Sequence, residues 1–182
     1  MNQTLMVPSS AALAPVAPFN PAAARIAMIS AGWHAELLAH ARHRFRSTLR
    51  EWGVPDSGFL EHEVPGAFEI PLAAQRLARR GDVDAIVAFA LVVDGGIYRH
   101  EFVSSAVIDG LMRVQLDEGV PVLSVVLTPQ AFHDHDDHRR FFAGHLEIKG
   151  EQAAGAVMQL LGRPLPAWPP VRADASPLQG AP

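Results

Sequence analysis

Nine consecutive apolar residues, Ala85-Ile86-Val87-Ala88-Phe89-Ala90-Leu91-Val92-Val93, restrict the fold more than any other stretch of this chain. A strand that is apolar on both faces must lie inside a sheet covered by helices on either side, as parallel sheets do. The rest of the sequence alternates in a matching way. Ala24–Ser30 is a short buried strand, followed by a helix from about His34 to Trp52 with Leu37, Leu38, Ala41, Phe45 and Leu49 near a 3.6-residue period. Phe59–Val64 sets Leu60, His62 and Val64 against Glu61 and Glu63, the pattern of an edge strand with one solvated face. A helix follows over roughly Glu69–Arg79, with Pro71 tolerated in its first turn and Gly81 beyond its end. Another helix begins after Arg99, carries Val103, Val107, Leu111 and Val114 or Gln115 on one stripe, and stops at Gly119. Val120–Thr128 is the last strand. A polar His-rich segment then leads to a small-residue helix over Gly150–Leu161. This β-α alternation predicts a doubly wound α/β domain with a four-stranded parallel sheet.

The 182 residues are 49% hydrophobic, enough for one domain with a sizeable core. We expect that domain over 22–162, between a flexible arm at 1–21 and a Pro-rich, loosely held tail at 163–182. The apolar stretch Leu5–Phe19 has no Lys or Arg before it and is interrupted by Pro8, Pro15 and Pro18, which argues against a signal peptide. No segment has the roughly 18 uninterrupted apolar residues of a membrane span. A cytoplasmic protein without membrane partners is expected. With a net charge of −4 and scattered basic residues there is no footprint for nucleic acid, and with no cysteine there are no disulfides, thiolate nucleophiles or sulfur-ligated metals.

Ligands of such sheets bind outside the carboxyl ends of the strands. Four strand ends carry the chemically interesting residues: Gly32-Trp33-His34, Pro65-Gly66-Ala67-Phe68-Glu69, Asp94-Gly95-Gly96-Ile97-Tyr98-Arg99-His100 and Thr128-Pro129. In the third, two glycines allow close backbone approach to a ligand, and a helix starting near Arg99 would present free N–H groups to a phosphate or carboxylate.

Val64-Pro65-Gly66-Ala67-Phe68-Glu69-Ile70-Pro71, the Asp94–His100 run and Lys149-Gly150-Glu151-Gln152-Ala153-Ala154 occur in an order and spacing that closely resemble the 6,7-dimethyl-8-ribityllumazine synthases. The Asp-Gly-Gly-Ile-Tyr-Arg-His form is similar to the second bacterial type, and the resemblance covers about residues 24–161. It implies a flavodoxin-like three-layer α/β/α subunit. The implied activity is the penultimate step of riboflavin synthesis: a ribitylamino-pyrimidinedione condenses with a phosphorylated dihydroxybutanone, losing phosphate and water, with no metal or organic cofactor. Trp33 would stack on the flat pyrimidine. Glu69, acceptor-only when ionised, would bind ribityl hydroxyls together with the backbone around Gly66, Ala67 and Phe68. Val92 and Val93 would present backbone groups to the pyrimidine edge. Gly96 and Ile97 would offer N–H groups to the phosphate. Ser124 would act from a neighbouring subunit, or is simply a small buried hydroxyl bonded to backbone.

One position departs from the family pattern. Most members have a histidine where this chain has Arg99, with His100 one residue later. Arginine holds phosphate but transfers protons poorly, whereas histidine titrates near neutrality. A one-residue step turns a helical side chain by about 100°, so the two are not simply interchangeable. Arg99 is expected to stabilise phosphate and transition-state charge, and His100 or the substrate itself to move protons.

The family's basic phosphate contact from an adjacent subunit leaves His138, Arg139 and Arg140 as competing candidates. A spacing of three between His135 and His138, among His133, Asp134, Asp136, Asp137 and His145, invites a metal reading. Such polar runs are ordinarily solvated, and no metal is expected. The resemblance also implies homo-oligomers built of pentamers, here a decamer, in which the chain before the first strand pairs with a neighbour's sheet edge. A non-catalytic flavin or lumazine binder on the same fold is the alternative; it would need the stacking and ribityl contacts but neither Arg99 nor His100.

Overall fold

The structure, a computed structural model, describes residues 19–130, 132 and 135–162. The predicted arm lies almost wholly, and the tail entirely, outside the described residues. Four parallel strands, β1 (Ile26–Ala31), β2 (Phe59–Val64), β3 (Ala85–Leu91) and β4 (Val122–Leu127), form one sheet in the order β2-β1-β3-β4. Ile26 pairs with both Phe59 and Ala85, and Ile86 with Val122. Every residue of β1 and β3 is buried, whereas β2 alternates as its sequence does and closes one edge.

Helices α1 (Ala35–Glu51) and α4 (Asp136–Gly162) pack together on one face of the sheet, and α2 (Ile70–Ala78) and α3 (His100–Glu118) on the other. This is the three-layer arrangement expected. The apolar stripe of α1, with Leu38, Ala41, Phe45 and Leu49 fully enclosed, drives its packing; each such leucine contributes about 1.5–3 kcal/mol. Phe45 meets Phe89 of β3 edge to face at 5.7 Å between ring centres. Gly119, at φ +67, ends α3 in the left-handed turn that favours glycine, its N–H donating to the Gln115 carbonyl. Gln115 itself turns away from the stripe and its side-chain oxygen accepts the Val122 N–H at 2.9 Å, which leaves Val114 as the buried member of the pair.

The last helix is the main departure from expectation. It begins at Asp136, fourteen residues before Gly150, and takes in most of the His-rich segment. Phe142, Leu146, Gly150, Ala153, Ala154 and Val157 form its buried stripe. The charges between them disguised the period, and the glycine at its centre marks close approach instead of helix breaking: a Cβ on Gly150 would lie 2.2 Å from the Ala41 carbonyl oxygen of α1. His40–Glu147 (3.2 Å) and Arg44–Glu151 (2.8 Å) lace the solvent side of the same seam, and Arg139 reaches Glu36 at 2.8 Å. No helix among the described residues is long and apolar enough to cross a membrane.

Candidate active site

The chain leaves β1 towards β2 on one side and β3 lies on the other, so the carboxyl ends of β1 and β3 border the point where strand order reverses, where open parallel sheets bind ligands. A cavity of about 390 Å³ opens there, within the range of small-molecule sites. The end of β1 supplies Ala31, Trp33 and His34, and the turn after β2 supplies Gly66 and Ala67. The end of β3 and its continuation supply Leu91, Val92, Val93, Gly95, Ile97 and Tyr98, and the start of α3 supplies Arg99, His100 and Val103.

Its walls are built by local rules. The Gly32 N–H donates to the Val64 carbonyl at 2.8 Å, tying the ends of β1 and β2 together. His34 then adopts φ +58, the one left-handed non-glycine residue among the described residues, and its carbonyl accepts the first α1 hydrogen bond, from Leu38. That kink leaves Trp33 75% exposed beside the cavity. His34 packs edge-on against Phe132 at 5.5 Å, and Phe132 in turn against Phe142 of α4. On the opposite wall the Glu69 carboxylate folds back to accept the Gly66 N–H at 2.9 Å, which fixes the turn before α2.

The Asp94–Arg99 segment is the most exposed part of the rim: Ile97 is 82% and Tyr98 84% accessible. Asp94 Oδ1 accepts the Gly96 N–H at 2.8 Å, with Gly96 at φ +74. Arg99 precedes α3 without a side-chain hydrogen bond capping the helix, its carbonyl accepting the Phe102 N–H at 3.4 Å, so the positive dipole end of a 19-residue helix lies at the rim. The Arg99 guanidinium lies 4.6 Å from the centre of the Phe102 ring. His100 is mostly enclosed, with its Nδ1 3.9 Å from Asp94 Oδ1 and 3.8 Å from Glu101 Oε2.

Of the residues singled out from sequence, Trp33, Gly66, Ala67, Val92, Val93, Ile97, Arg99 and His100 line one cavity. Phe68, Glu69 and Gly96 lie on the same turns but do not line it. Two backbone donors are already engaged: the Gly96 N–H by Asp94, and the Val92 N–H by the Leu127 carbonyl at 2.9 Å. Within one subunit, therefore, the Gly96 and Val92 N–H groups both have partners within the chain. Ser124 is exposed on the β4 edge and its hydroxyl accepts the Val126 N–H at 3.3 Å, so it is not a buried hydroxyl. His138 lies near the start of α4 against His135 and Phe142, outside the cavity of its own subunit. Among the described residues no group of three or more potential ligands is arranged to hold a metal ion; His133 and Asp134 lie outside them.

Three further contributors, His34, Tyr98 and Asp94, stand in the strand-end motifs without a role assigned from sequence. His34 stood beside Trp33, and its readiness for left-handed turns was the available signal. Tyr98 stood within the motif. Asp94 was visible as an acid two residues before a glycine, the spacing at which an Asp side chain caps its own turn.

These features define a class: a doubly wound α/β subunit whose switch-point crevice joins an aromatic shelf and apolar floor to a basic helix N-terminus. The family model for 6,7-dimethyl-8-ribityllumazine synthase matches residues 23–164. A 6,7-dimethyl-8-ribityllumazine synthase of Rhodococcus erythropolis is 58% identical over 133 residues, 73% of this chain and 86% of the relative. Proteins named 6,7-dimethyl-8-ribityllumazine synthase 2 from Pseudomonas syringae pv. tomato and Bradyrhizobium diazoefficiens are each 48% identical, over 76% and 75% of this chain and 82% of their own lengths. The chain belongs to the 6,7-dimethyl-8-ribityllumazine synthase family.

Proposed function

We propose that this chain condenses 5-amino-6-(D-ribitylamino)uracil with 3,4-dihydroxy-2-butanone 4-phosphate to give 6,7-dimethyl-8-ribityllumazine, phosphate and water, a transferase step of riboflavin synthesis carried out in the cytoplasm. The observation that carries the reading is the union, in one switch-point cavity, of Trp33 with Arg99 and His100 at the start of α3. A flat heterocycle suits the tryptophan face, and a phosphate suits the uncapped helix end and the guanidinium. Joining the amine to the ketone expels one water, and after phosphate has left, the ribitylamino nitrogen closes the second ring on the carbonyl generated beside it, expelling another. Expelling the phosphate then requires a proton to leave the carbon beside the phosphate-bearing carbon, while negative charge accumulates on the leaving group. His100 serves the proton and Arg99 the charge. Glu69, Ala67 and Phe68 hold the ribityl chain, and Gly66 keeps Glu69 in place through its N–H.

The same reading takes the subunit as part of a homo-oligomer of pentamers, arranged as a decamer, with the domain over 22–162 as its repeating unit. Support comes from surface that a single subunit leaves bare. Ile108, Met112 and Leu116, spaced four residues apart along α3, are all exposed, and so are Trp33, Ile97, Tyr98 and Phe102 around the cavity. In that assembly Ser124 and one of His138, Arg139 and Arg140 act on a neighbour's site, which fits their distance from the cavity of their own subunit.

Purified protein mixed with both substrates should generate lumazine absorbance well above the protein-free rate. Binding of the ribityl-pyrimidine without turnover would overturn the enzymatic reading in favour of a binder. Light scattering coupled to size exclusion tests the assembly, and a monomer at micromolar concentration would refute shared sites.

A further inference from the structure

We infer that Asp94 is a positioning residue for His100, holding the imidazole proton on Nδ1 so that Nε2 is the nitrogen that exchanges protons with substrate. The inference rests on reading His100 as the proton-transfer group. One carboxylate oxygen, Asp94 Oδ1, faces two groups: it accepts the Gly96 N–H at 2.8 Å and lies 3.9 Å from His100 Nδ1. The first contact fixes the carboxylate, since the Gly96 turn cannot move without breaking it. The second gives the imidazole a direction. At 3.9 Å it is longer than a hydrogen bond, but such contacts commonly tighten when substrate closes a site.

Which ring nitrogen carries the proton is set by the partner of the other. Both acids near His100, Asp94 and Glu101, lie within 4 Å of Nδ1. Together they favour a proton on that nitrogen, against the ordinary preference of free imidazole for Nε2. Asp94 is the better anchored of the two because its oxygen is also held by the backbone. The same geometry accounts for Arg99 and His100 standing side by side: the arginine, over Phe102 at the rim, serves charge, and the histidine, backed by a carboxylate, serves protons.

Asp94→Asn separates the two contacts, since an amide oxygen still accepts the Gly96 N–H but carries no charge. Turnover should fall about tenfold, part of the roughly 10²–10⁴-fold that a positioned acid/base group supplies. The KM for the phosphorylated substrate should hold or fall, because a negative charge near the phosphate has gone. A purely structural role would raise that KM instead. Asp94→Ala, which also frees the Gly96 turn, should lower turnover and raise KM together. Independently of turnover, 15N spectra of histidine-labelled wild-type protein, with His100 assigned by loss of its signals in His100→Gln, should show the neutral ring protonated on Nδ1, and Asp94→Asn should shift it towards Nε2. A wild-type ring protonated on Nε2, or Asp94→Asn with wild-type turnover, would overturn the inference. Absence of any lumazine formation by wild-type protein would instead refute the enzymatic reading, and the spectra would still decide the Asp94–His100 coupling.

Discussion

Gly150→Ala should be the most damaging one-carbon change in the fold. Gly150 is buried on α4, and a Cβ there would sit 2.2 Å from the Ala41 carbonyl oxygen and 3.0 Å from both the Ala41 carbonyl carbon and the Phe45 amide nitrogen. All three are backbone atoms of α1, so no side chain can rotate aside. Bringing the closest contact from 2.2 to 3.0 Å, the shortest that real Cβ atoms tolerate, needs the helices to part by about 0.8 Å. A gap of that size forfeits a quarter to a half of each dispersion contact along the seam, where Leu38, Phe45 and Leu146 are fully enclosed. Overpacking of this kind costs about 3 kcal/mol, equivalent to a fall of about 10 °C in Tm for a domain of this size. Gly144→Ala is the internal control: it lies on the same helix with nothing within 4 Å of its Cβ, and should gain up to about 1 kcal/mol from helix propensity. Thermal unfolding at matched protein concentration measures both. A Gly150→Ala protein melting within 2 °C of wild type, or both variants shifting in the same direction, would refute the close-approach argument.

Three further outcomes are expected. Thr48→Val should raise Tm, because the Thr48 hydroxyl is buried on α1 with no hydrogen-bond partner and valine keeps its shape; removing such an orphan is worth about 1 kcal/mol, and a lower Tm would show that the hydroxyl is satisfied. The Asp82 carboxyl is held below its usual range, chiefly by its hydrogen bond from Arg80 and then by the charges of Arg80 and Arg25, so its stabilisation is full above the unfolded carboxylate range and is lost as pH falls through the lowered folded value. The stability difference between wild type and Asp82→Asn should therefore shrink on acidification below about pH 4, and a difference independent of pH would contradict it. Arg99→Ala should raise the KM for the phosphorylated substrate with a smaller change in kcat, and His100→Ala should mainly lower kcat. Wild-type steady-state constants in both variants would remove both residues from the reaction.

Element identity was legible where one period dominated. β3 needed only its run of apolar residues, and α1 and α3 announced themselves through stripes that the structure buries as Leu38–Ala41–Phe45 and Val107–Leu111–Val114. The first half of α4 was not legible, because its apolar positions are separated by acids, histidines and arginines and its central stripe position is glycine, which local propensity reads as a break. Tertiary contact with α1 overrides that propensity. In the site, residue types at strand ends were legible, but the hydrogen bonds among them were not: the engagement of the Gly96 N–H by Asp94 and of the Val92 N–H by Leu127 depends on backbone angles and strand register that sequence leaves open.

Strand order explains why those scattered residues meet at all. Had the sheet run β1-β2-β3-β4, the end of β1 would lie two strands from the end of β3, roughly 10 Å away at ordinary strand spacing, and Trp33 could not share a cavity with His100. The observed β2-β1-β3-β4 order makes β1 and β3 neighbours, and the two connections leave the crevice between them uncovered because they depart to opposite sides. α1 leads from β1 out to β2 on one face, and α3 leads from β3 out to β4 on the other. The start of α3 follows β3 after the connection 92–99 and so arrives at the rim of that crevice with no side-chain cap. An aromatic shelf from the first strand and a basic helix start from the third are thus brought together by topology, and neither requires a long loop to reach the ligand. What the topology does not provide is a roof: Trp33, Ile97 and Tyr98 remain largely exposed at the mouth. Burying a flat heterocycle on both faces would take more surface than one subunit places there, which is the physical ground for the proposed sharing of sites between subunits.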